Sequence, residues 1–398
     1  GTGGQQDGVR VDVANATITS GGGAVTVVGR GGGTGTGTNT AGVRVNLSGQ
    51  ITAGGTGTVS VTGTGGSSAG AEQYGVVLFG ANSTITSGGG AVTVVGHGGG
   101  TGTSGSSRGV LVSNSGQITA TGTADVSVTG TGGSGTGANQ DGVVVDGANS
   151  RISSSSGDID ISGDNVKLES ASEISTNGVV RISVTGDVLS STNSDITASQ
   201  LGISATGDVD LQGDNAAGTL AINAGGSVDF NNTIGLTIDA VSAQGPFPAT
   251  SGVTGDGNVT ITVVDSAAAT DDLTVNTGVT VQSTSGNIEL TVGDDVVING
   301  NLLAPTGTVT INVDPSAGDP DTVGGTVDIA SASVITTSGG ATLNGGDDND
   351  TFNFAPQATT TFNVNGNPPV FSDGPPGDTL NLTLTGVTGA ALSVGPVR

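Results

Sequence analysis

The sequence predicts an all-β fold, a parallel β-helix or solenoid followed by a small β-rich C-terminal tail. Three observations predict it: short runs alternate β-branched with polar residues, glycine is abundant, and the runs recur at fixed spacing. β-Branched side chains suit a pleated surface and lose rotamer freedom in a helix. With 76 Gly, seven Phe, one Tyr and no Trp, Met or Cys, we do not expect a globular core built from large side chains.

Residues 1–150 carry the most regular repeat. The run that begins at Gly8 with the sequence Gly-Val-Arg-Val returns in related form at Gly42, Gly75, Gly109 and Gly142, in steps of 34, 33, 34 and 33. The steps alternate because the true unit is a pair, so that the run Ser20–Gly29 returns unchanged as Ser87–Gly96. Each unit holds three short apolar runs separated by glycine-rich corners. This is the pattern of a solenoid coil, in which alternate side chains point inward and stack on the next coil.

Residues 151–340 are predicted to continue the solenoid with less regular coils. A pattern of Gly, any residue, Val or Ile, any residue, and Ile, Leu or Phe recurs from Gly157 to Gly325. Its mean step is about 24 residues, which is a usual length for a solenoid coil. The segment Gln244–Pro248 interrupts this pattern, so we predict a loop or a boundary there.

Residues 341–398 form a third predicted segment, an acidic β tail that contains several prolines. The run Asp350–Phe354 is echoed further along the chain by Asp378–Leu382. This echo predicts two paired strands around an irregular loop.

The net charge of −26 is concentrated after residue 150. Residues 1–150 contain six acidic and four basic residues, whereas the remaining 248 contain 28 acidic and four basic residues. Nucleic-acid binding requires the opposite sign, so nucleic acid is not an expected partner. An acidic surface keeps a chain soluble or attracts divalent cations, and the sequence leaves both interpretations open.

No initiator Met, signal peptide or apolar run of membrane-spanning length is visible. The sequence begins at Gly1 in the middle of the repeat pattern. We therefore expect a processed product or a piece of a longer chain, without a membrane-spanning segment.

The repeats resemble large repetitive bacterial surface proteins of the filamentous-haemagglutinin-like and autotransporter-passenger type. The resemblance lies in the Ile-Thr-Ser-Gly-Gly-Gly and Val-Thr-Val-Val-Gly runs and in the Gly-Asp-Val or Gly-Asp-Ile steps. It implies a right-handed β-helix, an extracellular or cell-surface location, and a role in adhesion or fibre building. It carries over no catalytic residue.

Calcium is the one candidate cofactor, with Asp347, Asp348 and Asp350 as candidate metal ligands. The segment Gly345–Asn353 resembles the calcium-binding nonapeptide Gly-Gly-x-Gly-x-Asp-x-apolar-x, although Asp348 stands where that pattern has its third Gly. Carboxylate and carbonyl oxygens are the ligands that calcium prefers. The alternative interpretation is an acidic turn before a strand.

We predict that the chain is not an enzyme. Polysaccharide cleavage would require paired carboxylates with separate pKa values, and the pairs Asp158/Asp160 and Asp208/Asp210 are spaced to share a strand face. The single His97 takes the place of Arg30 one double repeat later, in what reads as a glycine-rich loop. No catalytic role is expected for it.

The sequence favours an extracellular structural protein, a subunit of a fibre, sheath or surface layer that assembles with itself head to tail. The alternative is an adhesin stalk or passenger that presents loops such as 31–40 and 98–108 to a glycan or matrix ligand. A polysaccharide-degrading β-helix enzyme is the third interpretation.

Overall fold

The structure is a computed structural model that describes residues 5–267, 270–315, 323–346, 348–366 and 377–384. Within these ranges regular structure consists of strands, and no helix occurs. The first strands are β1 Val9–Asp12, β2 Thr17–Ser20, β3 Val25–Arg30, β4 Thr40–Asn46, β5 Gln50–Ala53, β6 Val59–Thr64, β7 Gln73–Phe79, β8 Thr84–Ser87, β9 Val92–His97, β10 Val110–Ser113, β11 Gln117–Ala120, β12 Val126–Thr131, β13 Val143–Asp146, β14 Arg151–Ser154, β15 Ile159–Gly163, β16 Val166–Glu169, β17 Glu173–Ser175, β18 Val179–Val184, β19 Val188–Ser190, β20 Asp195–Ala205 and β21 Val209–Ala224.

The later strands continue the same pattern of short, alternating segments. They are β22 Val228–Asn232, β23 Leu236–Ile238, β24 Ala240–Val241, β25 Thr250–Ser251, β26 Val253–Gly255, β27 Val259–Val263, β28 Leu273–Val275, β29 Thr280–Ser283, β30 Ile288–Val292, β31 Val296–Ile298, β32 Asn301–Ala304, β33 Val309–Val313, β34 Thr326–Ile329, β35 Ile335–Thr337, β36 Ala341–Asn344, β37 Thr351–Phe354, β38 Phe362–Asn365 and β39 Thr379–Leu382.

The chain forms two compact units. Unit 1 comprises residues 1–218 and 241–250, and unit 2 comprises residues 219–240 and 251–398. In each unit the strands form three parallel ladders, which we number in the order in which the chain visits them. The predicted all-β parallel solenoid is confirmed.

In unit 1 each long repeat of the sequence makes one coil. Val9 pairs with Val43, which pairs with Val76 and so on, and the equivalent residues of the second and third ladders pair in the same register. From Val143 onward the step falls, because Val143 pairs with Val166 and Val166 with Val188. The change of rhythm that the sequence shows near residue 151 is therefore a shortening of the coil within unit 1.

Inward-facing side chains form apolar columns along the solenoid. In the second ladder of unit 1, Ile51 and its equivalents are fully buried, and their column comprises Ile51, Ile85, Ile118, Ile152, Ile174 and Ile196. Each such side chain contributes about 1.5–3 kcal/mol when it leaves water. The alternation of buried and half-buried residues along second-ladder strands such as β5 and β8 follows from the two-residue period of the pleat.

The longer coils of unit 1 differ from the later ones by an added loop that begins after the third strand. At its base the backbones of two strands touch at paired glycines: a Cβ added at Gly63 would lie 2.1 Å from the carbonyl oxygen of Gly75. The same contact recurs at Gly29 with Gly42, at Gly96 with Gly109, and at Gly130 with Gly142. Glycine at these repeated positions is therefore required by close backbone approach.

The added loops cover the outer face of the first ladder and create a second apolar cluster, made of Ala41, Tyr74, Val77, Leu111 and Val144. The outward residues Val77, Leu111 and Val144 stack in one column of the first ladder. A cation flanks this column on each side, because Arg44 pairs with Val77 at one end and Lys167 pairs with Val144 at the other. An ion pair neutralises each cation, Arg44 with Asp7 at 2.8 Å and Lys167 with Asp141 at 2.8 Å. The second cluster thus ends in buried charge pairs rather than in open apolar surface.

Unit 2 uses the same order of three ladders with coils of variable length. Val259 pairs with Ile288 and Ile288 pairs with Val309, so the first of these two coils is the longer. The C-terminal strands extend these ladders, and β37 pairs with β39 in the register Thr351 to Thr379. The pairing predicted from the echo of Asp350–Phe354 in Asp378–Leu382 is confirmed.

Candidate functional site

Of the three candidate calcium ligands, Asp347 lies outside the described residues, Asp348 is half-buried and Asp350 is fully buried. Asp350 precedes strand β37, and its Oδ1 accepts a hydrogen bond from the Gly325 N–H at 2.9 Å. The pKa of the Asp350 carboxyl is raised to about 6, chiefly by burial and also by the negative charge of Asp378, and the hydrogen bond from the Gly325 N–H opposes this rise. This carboxyl is built into the backbone network between coils.

Among the described residues, no group of three or more His, Cys, Asp or Glu side chains is arranged to hold a metal ion. One oxygen of Asp350 already accepts a backbone N–H, and burial favours its protonated form. Calcium at Asp347, Asp348 and Asp350 stays a prediction, because one of the three ligands is outside the described residues.

Many aspartates of unit 2 have a structural use that the sequence analysis missed. Asp294 Oδ2 accepts the N–H of Asp271 at 2.7 Å, and Asp295 Oδ1 accepts the N–H of Thr326 at 2.7 Å. In each case a carboxylate at a corner caps the backbone of an adjacent coil. Asp295 and Thr326 are 31 residues apart in the sequence, so no local sequence pattern indicates this contact. Part of the acidic surplus therefore serves backbone hydrogen bonding.

The carboxylate pair Asp158/Asp160, weighed above as a catalytic pair, lies against one buried cation. The Nη1 atom of Arg181 is 2.8 Å from Asp158 Oδ2 and 3.3 Å from Asp160 Oδ1. Burial raises the pKa of Asp160, and the Arg181 guanidinium opposes that rise. Arg181 Nε also donates to the carbonyl oxygen of Ser242 at 2.9 Å. Arg181 therefore connects residues 241–250 to the strands of unit 1 that carry the two aspartates.

The predicted loop at Gln244–Pro248 forms part of this segment. Gln244 and Phe247 make an antiparallel bridge, and Phe247 is buried. Gly202 allows the segment to pack closely, because a Cβ there would lie 2.9 Å from a methyl group of Val241.

The other carboxylate pair weighed as catalytic, Asp208 and Asp210, is more open. Asp208 is exposed just before strand β21, and Asp210 is half-buried on that strand.

His97 is the last residue of strand β9 and is exposed, so the expectation of a loop position was wrong. It continues the strand because it pairs in register between Thr64 and Thr131.

The glycine-rich loops of unit 1 stack on one another as regularly as the strands do. The N–H of Ala69 donates to Gly35 O at 2.7 Å, and the N–H of Thr136 donates to Gly102 O at 2.8 Å. Residues 31–40 and 98–108 therefore belong to an ordered stack whose tips are small polar residues.

Two sets of strands have a hydrogen-bonded neighbour on one side within the described ranges. The first set is β1, β2 and β3, which pair with β4, β5 and β6. The second is β35, β38 and β39, which pair with β32, β36 and β37. Leu380 of β39 is 42 % exposed, whereas Phe352, its neighbour in the same column, is 1 % exposed. We call these sets the leading edge and the trailing edge.

The comparisons with known proteins find no protein-family model, no curated protein and no solved structure that matches this chain. Over the described residues, no helix has the length and apolarity needed to cross a membrane. The fold is thus established from the chain's own ladders.

Proposed function

We propose that this chain is an extracellular structural protein, a subunit of a fibre, sheath or surface layer that assembles with copies of itself. The observation that carries the proposal is the pair of edges just defined. Unpaired N–H and C=O groups along a strand edge are a template for pairing with another chain. Because the two edges differ, such a contact is heterologous and propagates into a filament.

The packing within each unit is consistent with a structural role. Coils contact their neighbours through continuous ladders, and stability in such a protein is roughly a sum of coil and interface terms. The buried cations Arg44 and Arg181 and the corner aspartates are engaged in ion pairs or backbone hydrogen bonds. The extracellular location is proposed from the resemblance of the repeats to bacterial surface proteins.

Electron microscopy of the purified chain, with calcium and with a chelator, tests the proposal. We expect filaments whose formation depends on protein concentration, and their loss in chelator would support a calcium site in the acidic tail. Isolated single molecules under both conditions at all concentrations would contradict self-assembly.

A matched pair of variants links assembly to the leading edge. Ile18 is an inward residue of β2, and Thr19 is its exposed neighbour. Ile18→Asp would place a charge between stacked coils and abolish filaments, because burying an unpaired carboxylate is strongly unfavourable. Thr19→Asp points outward and should assemble as the parent chain does. Equal filament yields from the two variants would contradict an edge contact.

The alternative function is an adhesin stalk, for which the ordered loop stack provides a repetitive surface. The loop tips carry Gly, Ser and Thr without aromatic residues, which are the usual anchors of protein recognition. Saturable binding of a glycan or matrix ligand by the monomeric chain would favour this function over the fibre.

A further inference from the structure

The outer face of the second ladder carries a regular array of uncharged side chains in the first four coils. Its strands there are β2, β5, β8 and β11, and in each strand two outward residues, exposed or half-buried, alternate with inward ones. One outward column consists of four threonines in register, Thr19, Thr52, Thr86 and Thr119. The other column alternates Thr with Gln, through Thr17, Gln50, Thr84 and Gln117. We call these two columns the threonine face.

The absence of charge is specific to these coils. In the following coils the alternating column continues with Arg151, Glu173 and Asp195, so the same face becomes charged. The third ladder changes at the same level, because Ser127 pairs with Asp160 in the next coil. In a chain with a net charge of −26, a face without an ionised group therefore distinguishes the first four coils. This face complements an uncharged partner, since contact with an ionised group would require its desolvation.

The ladder fixes the positions of the threonine side chains before any partner binds. Equivalent residues of adjacent parallel strands lie about 4.8 Å apart, and the outward residues of one strand lie roughly 6.6 Å apart. A β-branched side chain has a restricted χ1, and Thr119 Oγ1 donates a hydrogen bond to Thr86 Oγ1 at 2.8 Å. The face therefore presents hydroxyl and methyl groups at regular intervals in two directions. Such preorganisation lowers the entropy cost of binding.

The chemistry of the threonine face selects the kind of partner. The face contains no Trp, Tyr or Arg, the side chains that dominate protein recognition. A threonine hydroxyl both donates and accepts hydrogen bonds, so it can take the place of a water molecule in a hydrogen-bonded lattice. The two spacings of the face are close to the repeats of water oxygens on a prism face of hexagonal ice. An uncharged array of fixed hydroxyl groups with these repeats is complementary to an ice surface.

We propose that the threonine face, on strands β2, β5, β8 and β11, binds ice. The threonine hydroxyl groups hydrogen-bond to water molecules of the lattice, and the methyl groups between them lose their contact with liquid water. This activity is separate from assembly, because it uses outward side chains and not the backbone groups of the strand edges. It applies equally to a fibre subunit and to an adhesin stalk.

Thermal hysteresis, the gap between the melting and freezing temperatures of a single ice crystal, measures this binding in the intact chain. We expect a gap that grows with protein concentration, together with faceted crystals. The variant Thr52→Lys/Thr86→Lys places two charges at the centre of the face and should lose the hysteresis. The control Thr34→Lys/Thr36→Lys adds the same two charges at exposed residues of the loop 31–40, and should keep the hysteresis of the parent chain.

Each outcome decides for or against the proposal. Loss of hysteresis in the face variant alone supports it. Absence of hysteresis in the parent chain overturns it, and so does equal hysteresis in the two variants, since the ice site would then lie elsewhere. Binding of the parent chain to crystalline cellulose without hysteresis would overturn it in favour of a polysaccharide surface. Circular dichroism melts show whether the coils are intact, and the single variant Thr86→Lys replaces the pair if they are not.

Discussion

Replacing Gly63 with Ala tests the claim that paired glycines hold the coils of unit 1 together. A Cβ at Gly63 would lie 2.1 Å from Gly75 O and 2.8 Å from a methyl group of Val76. A Cβ is essentially never closer than about 3 Å to such an atom, so the two strands would have to separate by roughly 0.9 Å. Overpacking of this kind costs about 1–3 kcal/mol, and each ladder hydrogen bond that is lost adds about 1 kcal/mol. With one or two such bonds lost, we expect a total loss of about 2–5 kcal/mol.

Gly21→Ala is the matched control, because a Cβ at Gly21 meets no atom within 4 Å and its φ is not positive. Removing glycine from the unfolded chain should make this control neutral or stabilising by about 0.4–1 kcal/mol. Urea unfolding followed by circular dichroism, with hydrogen exchange to locate the weakened coils, measures both variants. A Gly63→Ala loss below about 1 kcal/mol, or a loss equal to that of Gly21→Ala, would refute the steric argument.

Three further predictions concern ionisable groups. Asp7→Asn should cost about 3 kcal/mol because it leaves a buried arginine charge without its carboxylate, whereas Asp12→Asn, in a more exposed pair, should cost less than about 1 kcal/mol. Tyr74, the single Tyr in a chain without Trp, should form phenolate near pH 12 in an ultraviolet titration, because burial first and Glu72 second raise its pKa to about 12. Unfolding should return this value to about 10. Asp350 has its pKa raised from 3.8 to about 6, so the parent chain should lose about 3 kcal/mol of unfolding free energy as pH rises through that window. Asp350→Asn should remove this loss.

Each of these predictions has an outcome that contradicts it. Similar costs for the two aspartate variants would mean that the Asp7 pair is not shielded from water. A Tyr74 titration near pH 10 in the folded chain would contradict its burial beneath the loops. Asp328→Asn changes an exposed outward carboxyl and should keep the pH-dependent loss, so equal pH profiles for Asp328→Asn and Asp350→Asn would exclude Asp350 as its source.

The sequence by itself determined the solenoid, the period of its long repeats and the pairing of the tail strands, whereas the ladders of the structure decided that one such repeat makes one coil. It could do so because stacked coils repeat the same environment, so each apolar run and each corner glycine recurs at a fixed spacing. The run that begins at Gly8 marks the start of every long coil for this reason. The register of Thr351 with Thr379 was equally visible, since the two strands share a pattern.

The tertiary structure decided what the polar residues do. Arg181 meets the carbonyl of Ser242 across 61 residues, and no local pattern reports such a contact. The repeated glycine at Gly75 was visible, but its reason depends on how the loop closes, because a Cβ there would lie 2.3 Å from the backbone nitrogen of His97 and 2.5 Å from the carbonyl oxygen of Gly109. Inward columns follow from hydrophobic periodicity along the chain, whereas hydrogen bonds and ion pairs depend on which coils and loops the fold brings within about 3 Å.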